Sequence, residues 1–186
     1  MIHVYGTSHV SHQSIERIDE AIEKQDPEIV ALELDPIRLQ ALKSGDQNGS
    51  EGGPIFIRLL RKFQNKVGSK TGLMPGQEML YAHHKALGEG RDVVLIDQDI
   101  RITVDRLKQV RRKEKVKAVF SVGLGLLLPF GDKLNIEEIP EEEKIRELVS
   151  ELEDSFPGIY RVLMEERNIH MFESLVRLQE EHPDSD

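Results

Sequence analysis

Residues 26–36 read DPEIVALELDP, and their interpretation decides the fold. Asp26-Pro27 stops whatever helix precedes it, and Ile29-Val30-Ala31-Leu32 with Leu34 is an apolar run of strand length. Continuous rather than alternating hydrophobicity is the mark of a strand covered on both faces, as in parallel sheets. Asp35 is suited to cap a helix whose first position is Pro36 and whose apolar positions are Ile37, Leu39 and Leu42. The stretch is therefore a strand feeding a helix, the building block of a parallel α/β fold.

The pattern extends in both directions. Upstream, Ile2 to Tyr5 reads as a short strand, Gly6-Thr7-Ser8-His9 as the turn after it, and Ser11 to Gln25 as a helix carrying Ile15, Ile18 and Ile22. Downstream, SGDQNGSEGGP (44–54) has four glycines and little to bury, so it reads as a flexible surface loop. Ile55 to Lys66 follows as a basic amphipathic helix. Pro75 to Leu87 is a further helix ended by Gly88 and Gly90, and Val93 to Ile96 a third buried strand running into Asp97. The rest is helical: Thr103 to Lys117, an apolar stretch to about Phe130, Glu141 to Glu153, and Pro157 to about Glu180. The expected fold class is α/β, a small, mostly parallel sheet flanked by many helices, in a single domain spanning 1–186 with a helical C-terminal part.

Composition narrows the chemistry. With 186 residues there is room for one well-buried domain, and 25 Lys and Arg against 34 Asp and Glu argue against a general nucleic-acid surface. The absence of cysteine excludes disulfides, thiolate metal sites and cysteine nucleophiles, so any metal must be held by His and carboxylates. The opening residues lack the pattern of a signal peptide, and no stretch is apolar for the ~20 residues that span a bilayer, so a cytoplasmic location is the expectation. The segment RLKQVRRKEKVKAVF (106–120) is basic, and AVFSVGLGLLLPF (118–130) apolar. A core helix, a membrane-surface contact and an oligomer contact all fit this pair.

Polar residues converge at the carboxyl ends of the strands, where ligands bind in parallel α/β sheets. Strand one delivers His9, strand two Glu33 and Asp35, strand three Asp97 and Asp99. A histidine with several carboxylates suits a divalent metal ion. Plainer readings stand beside this one: Asp35 as a helix cap, Asp99 as a cap or a partner of Arg101, and His9 as a turn residue. Glu33 interrupts an apolar run, so it needs a metal, an arginine or exposure at the strand end. The Glu166-Arg167 pair is an ordinary surface feature unless it reaches the same rim. His83 and His84 are adjacent, point ~100° apart on a helix and cannot chelate together.

HVYGTSHVSHQSIERIDEAIEKQDPEIVALELDPIRLQAL, MPGQEMLYAHHKALGEGRDVVLIDQDIRIT and the late ERNIHM, in this order, resemble the TraB family, related to PrgY pheromone-shutdown proteins, GumN and the Tiki proteases. The resemblance covers most of the chain. It implies a TraB/Tiki-like architecture of the EreA/ChaN kind, built of two related halves that each carry a G-x-x-H turn, and a metal-dependent, peptidase-like hydrolase. Gly6 and His9 match the first G-x-x-H, Glu33 the glutamate of the E-L-D stretch, and Glu166 with Arg167 the Glu-Arg pair. Asp97, Asp99 and Arg101 fall in the family's D-x-D-I-x-I segment.

On that basis His9 and Glu33 are the expected ligands of a divalent metal ion, Glu33, Glu166 and Arg167 the catalytic groups, and Gly6, Asp97, Asp99 and Arg101 substrate-binding. No second G-x-x-H follows the Glu-Arg helix. The expectation is a chain truncated at its C-terminus, with a membrane-embedded part in the full-length protein, or a site completed by another subunit of a homo-oligomer. The alternative to an enzyme is a regulatory module that sequesters a peptide or small-molecule ligand.

Overall fold

The computed structural model describes residues 1–6, 12–44, 76–127 and 142–183. His9, nearly all of the glycine-rich 44–54 loop and the helix expected at 55–66 lie outside the described residues. In chain order the elements are helix α1 (His12–Gln25), strand β1 (Ile29–Leu32), α2 (Pro36–Ser44), α3 (Gln77–Gly88), β2 (Asp92–Leu95), α4 (Ile100–Gln109), α5 (Arg112–Leu127) and α6 (Glu142–Ser155). A final helical stretch begins as α7 (Pro157–Tyr160), passes through a π turn (Arg161–Glu165) and continues as α8 (Glu166–Glu181).

β1 and β2 pair in parallel, Ile29 opposite Asp92 and Leu32 opposite Leu95. The mostly helical α/β class is as expected. Leu32 and Leu34 are buried, whereas Ile29, Val30 and Ala31 are half-buried, so β1 is less fully covered than its apolar run suggested. The expected strand at 2–5 does not form: residues 1–6 have no regular structure. Val4 is 84% exposed, so pairing is not rewarded by burial, and the Tyr5 hydroxyl instead accepts a 2.7 Å hydrogen bond from Gln25 Nε2 at the end of α1.

Two apolar clusters hold the chain together. One gathers Leu32, Leu34 and Ala82, with Ile18, Leu39, Leu42, Met79 and Val93 packed around them, and so joins α1, α2 and α3 to the sheet. The other gathers Leu107, Val110, Ala118, Ile159 and Val162, joining α4, α5 and the start of the last helical stretch. The helix expected from Thr103 to Lys117 is two helices. Asp99 caps α4 at its start, its side chain accepting from the Arg101 amide. Val110 takes an extended conformation (φ −57°, ψ 145°) that ends α4, and its burial in the second cluster fixes the break. Glu114 of α5 receives the Ile159 amide at 2.8 Å, so one helix supplies the N-terminal partner that Phe156 lacks for the next.

α3 starts at Gly76, whose φ of 93° belongs to the left-handed region, and a Cβ there would sit 3.2 Å from Leu42 Cδ1. Gly76→Ala is therefore expected to lower stability by about 1–2 kcal/mol, read as a fall in urea midpoint at unchanged m value.

His83 on the same helix is buried, and its pKa is held below the ordinary histidine value first by that burial, then by the Lys43 ammonium 3.3 Å from Nε2 and by His84. Folding favours the neutral ring, so the unfolded chain binds the extra proton. The His83 contribution is fully present above the unfolded value of ~6.5 and is lost as pH falls through the lower folded value. Urea unfolding at a series of pH values should show stability dropping on the acid side of that point. His83→Gln should make the slope shallower.

Candidate functional site

The carboxyl ends of β1 and β2 hold most of the polar residues singled out from the sequence. Leu34 N–H donates to the Leu32 carbonyl, turning the chain sharply after the strand, and Asp97 N–H donates to the Leu34 carbonyl from the neighbouring strand end. Glu33, Asp35 and Asp97 are thereby set on one rim. Asp35 is fully buried; its Oδ1 accepts from the amides of Ile37 and Arg38 at 2.9 and 3.2 Å, the helix-capping role expected of it. Its Oδ2 has no hydrogen-bond partner, with Arg38 Nε 3.9 Å away.

Asp97 is the anchor of the rim. Its side chain is 1% exposed and lies between two guanidinium groups: Arg38 Nη1 donates to Oδ2 at 2.7 Å, and Arg167 donates from Nη2 to Oδ2 at 2.7 Å and from Nε to Oδ1 at 3.0 Å. The Gln98 amide adds a 2.8 Å bond to Oδ1. Arg167 Nη2 also reaches Glu33 Oε1 at 3.0 Å, and Nη1 donates to the Leu163 carbonyl at 3.2 Å. The Glu33 side chain is 42% exposed. Of the three fates open to Glu33, it has two at once, an arginine and exposure at the strand end. Burial disfavours the Arg167 cation, and its bonds to Asp97 and Glu33 outweigh this, so its pKa is raised.

Arg167 reaches the rim because of the turn before it. In the π turn the Glu166 amide bonds the Arg161 carbonyl, five residues back, which inserts one residue into the helix and rotates the residues beyond it. Arg167 thus faces the strand ends while Glu166 pairs with Arg161 and Arg106 at 3.5 and 3.7 Å. Glu166 makes no bond to Glu33 or Asp97. Asp99 and Arg101 form a local pair at the head of α4, with Arg101 Nε 3.0 Å from Oδ1, and this pair together with the cap holds the Asp99 pKa below its ordinary value. Arg38 was not singled out from the sequence. Its position three residues after a capping aspartate was the signal that its side chain returns to the same strand end.

Beside Glu33 opens a cavity of about 830 Å³, lined mainly by apolar side chains of residues 1–5, α1, β1 and α8, among them Ile2, Val30, Met171 and Leu175. Gly6 and Glu33 both line it, as does Asn168, the neighbour of Arg167. A Cβ on Gly6 would meet nothing within 4 Å. Among the described residues no group of three His, Asp or Glu side chains is arranged to hold a metal ion. Glu33 uses only Oε1 for Arg167 and so has a carboxylate oxygen to offer. That is one ligand of the hard, oxygen-bearing kind suited to a divalent ion, on the cavity that Gly6, three residues before His9, also lines.

Comparison with known proteins finds similarity along nearly the whole chain. The model of the TraB/PrgY/gumN family matches residues 1–184. An uncharacterized protein of Methanocaldococcus jannaschii is 34% identical over 194 residues, which is 95% of this chain and 47% of that protein. TraB domain-containing proteins of Bos taurus and Homo sapiens are each 24% identical over 196 residues, 91% of this chain and 50% of theirs. The chain thus spans about half the length of the relatives it matches. No solved structure matches it significantly.

Removing Arg167 leaves a buried carboxylate with one counter-charge in place of two. Arg167→Ala is expected to cost about 3 kcal/mol in urea unfolding. Arg167→Lys should recover part of this, since it restores charge without the two-pronged geometry. Glu33→Gln, at an exposed position, should change stability by under about 1 kcal/mol.

Proposed function

The chain belongs to the TraB/PrgY/gumN family, and on that premise we propose that it carries the site of a metal-dependent hydrolase acting on peptides or peptide-like ligands with apolar side chains. The observation that carries this reading is the placing of Glu33 on the wall of an apolar cavity of about 830 Å³, with its second carboxylate oxygen unused by Arg167. Such a cavity accepts several apolar side chains, and a carboxylate on its wall is where a bond to be hydrolysed meets a proton acceptor.

His9 and Glu33 would hold the divalent ion. When bound, such an ion lowers the pKa of its water toward ~7 and polarises a carbonyl. The remaining work falls to the chain's own residues. Arg167 orients Glu33 through Nη2 and is itself held by Asp97, so the carboxylate keeps its position during proton transfer. The apolar lining excludes water from the bound segment and positions it by shape.

A second reading is capture without cleavage. The predominantly apolar lining favours it, since burial alone would retain an apolar peptide. One set of measurements separates the two. With a divalent ion added and a fluorogenic peptide mixture as substrate, His9→Ala and Glu33→Gln should each lower kcat/KM by about 100-fold or more while leaving the melting temperature within a few degrees. Metal affinity should fall in parallel in His9→Ala. Undiminished peptide retention in His9→Ala, together with a wild-type chain that cleaves nothing and binds no ion, would establish capture instead.

A further inference from the structure

Charge is spread unevenly along this acidic chain. Residues 106–117 hold seven Lys and Arg against a single Glu, in a protein whose formal charge is −9. Most of these cations are occupied within the fold: Lys108 bonds Asp105, Lys115 the carbonyl of Lys108, and Lys117 the carbonyl of Ser155 while lying 5.0 Å over the Phe156 ring. Arg106 is 3.7 Å from Glu166. Arg111, Arg112 and Lys113 are exposed, and their side chains make no hydrogen bond or ion pair among the described residues. They form a cationic group at the head of α5.

One turn further on, Val116 is 68% and Phe120 70% exposed. Four residues apart, they share one face of the helix, and Lys113 lies one turn before Val116 on the same side. The opposite face is fixed: Ala118 is buried in the second apolar cluster and Glu114 holds the Ile159 amide. The outward strip therefore cannot be turned inward without breaking that packing. After Phe120 the sequence runs S-V-G-L-G-L-L with no charged residue through Leu127. Exposed cations beside an exposed aromatic and an exposed branched aliphatic residue match two components of one surface, headgroup phosphates and the acyl boundary beneath them.

We propose that the outer face of α5 is a docking surface for an anionic lipid membrane. Arg111, Arg112 and Lys113 meet the lipid phosphates, and Val116 and Phe120 enter the interface. A nucleic acid is the weaker match, because it would leave both apolar side chains without a role. On a membrane the acidic surface turns the domain outward, with α5 as its foot.

The chain has no tryptophan, so Phe120→Trp supplies a single emission probe at the point of insertion. With vesicles of equal parts phosphatidylserine and phosphatidylcholine, the full chain should sediment with lipid, the emission of the introduced indole should move to shorter wavelength, and salt should reverse both. Each basic residue near an anionic surface is worth a roughly five-fold gain in partitioning, so Arg111→Gln, Arg112→Gln and Lys113→Gln together should lower it by about 100-fold. Phe120→Ser should lower it by about 10-fold or more. All these side chains are exposed, and a melting temperature within a few degrees of wild type confirms that each variant folds. Absence of binding, equal binding to phosphatidylcholine alone, or binding that is insensitive to Phe120→Ser and equalled on duplex DNA would each overturn the proposal. A Phe120→Ser effect seen only as loss of a dimer would do the same.

Discussion

The Arg167 guanidinium wedged against the Asp97 carboxylate is the contact on which the arrangement of the site depends. Each of the two apolar clusters organises its own part of the chain, the sheet with α1 to α3 and the α4–α5 pair with the last helical stretch. Arg167 bonds Asp97 and Glu33 at the strand ends, and through Nη1 the carbonyl of Leu163, which packs against the second cluster. α8 has no fully buried residue, so apolar packing alone does not hold it to the sheet. The cost of stripping water from Asp97 is offset because both of its oxygens are saturated, by two arginines and a backbone amide. Such an ion pair is directional. It fixes which face of α8 looks at the sheet in a way that hydrophobic contact does not.

The same geometry divides the rim into a structural and an available part. Asp35 caps α2, and Asp97 is enclosed by Arg38 and Arg167. Glu33 alone combines exposure, an arginine that orients it and a place on the cavity wall. The division follows from chain geometry. Glu33 is the first residue past the last paired position of β1, where the backbone turns, whereas Asp97, the second residue past the last paired position of β2, is held by its amide against the Leu34 carbonyl of the neighbouring strand end.

How much of this was legible in the sequence depends on the range of the interaction. Asp35-Pro36 announced its helix because capping is decided within three residues, and Asp99, read as a cap or a partner of Arg101, is both, at the head of a helix that starts three residues before the expected Thr103. The parallel pair of strands was legible from two apolar runs of the right length. The expected strand at residues 2–5 was read from residue type alone, and a strand needs a partner ladder and a buried face that those residues do not supply. The break at Val110 was hidden because a buried valine suits a helix as well as a bend. The need of Glu33 for a partner was visible, but the partner stands 134 residues away behind a π turn, and nothing local marks that inserted residue.

The weak apolar anchoring of α8 has a consequence in time as well as in space. The Arg167 clamp ties α8 to Asp97 and Glu33 at the strand ends, while α8 itself contributes no fully buried side chain, so few apolar contacts oppose its opening. Opening it exposes little apolar area, so α8 belongs to the part of the molecule whose amides exchange with solvent through local rather than global unfolding. Met171 and Leu175 of that helix form a wall of the cavity, so the shape of the cavity depends on the same ion pairs that hold α8 to the strand ends.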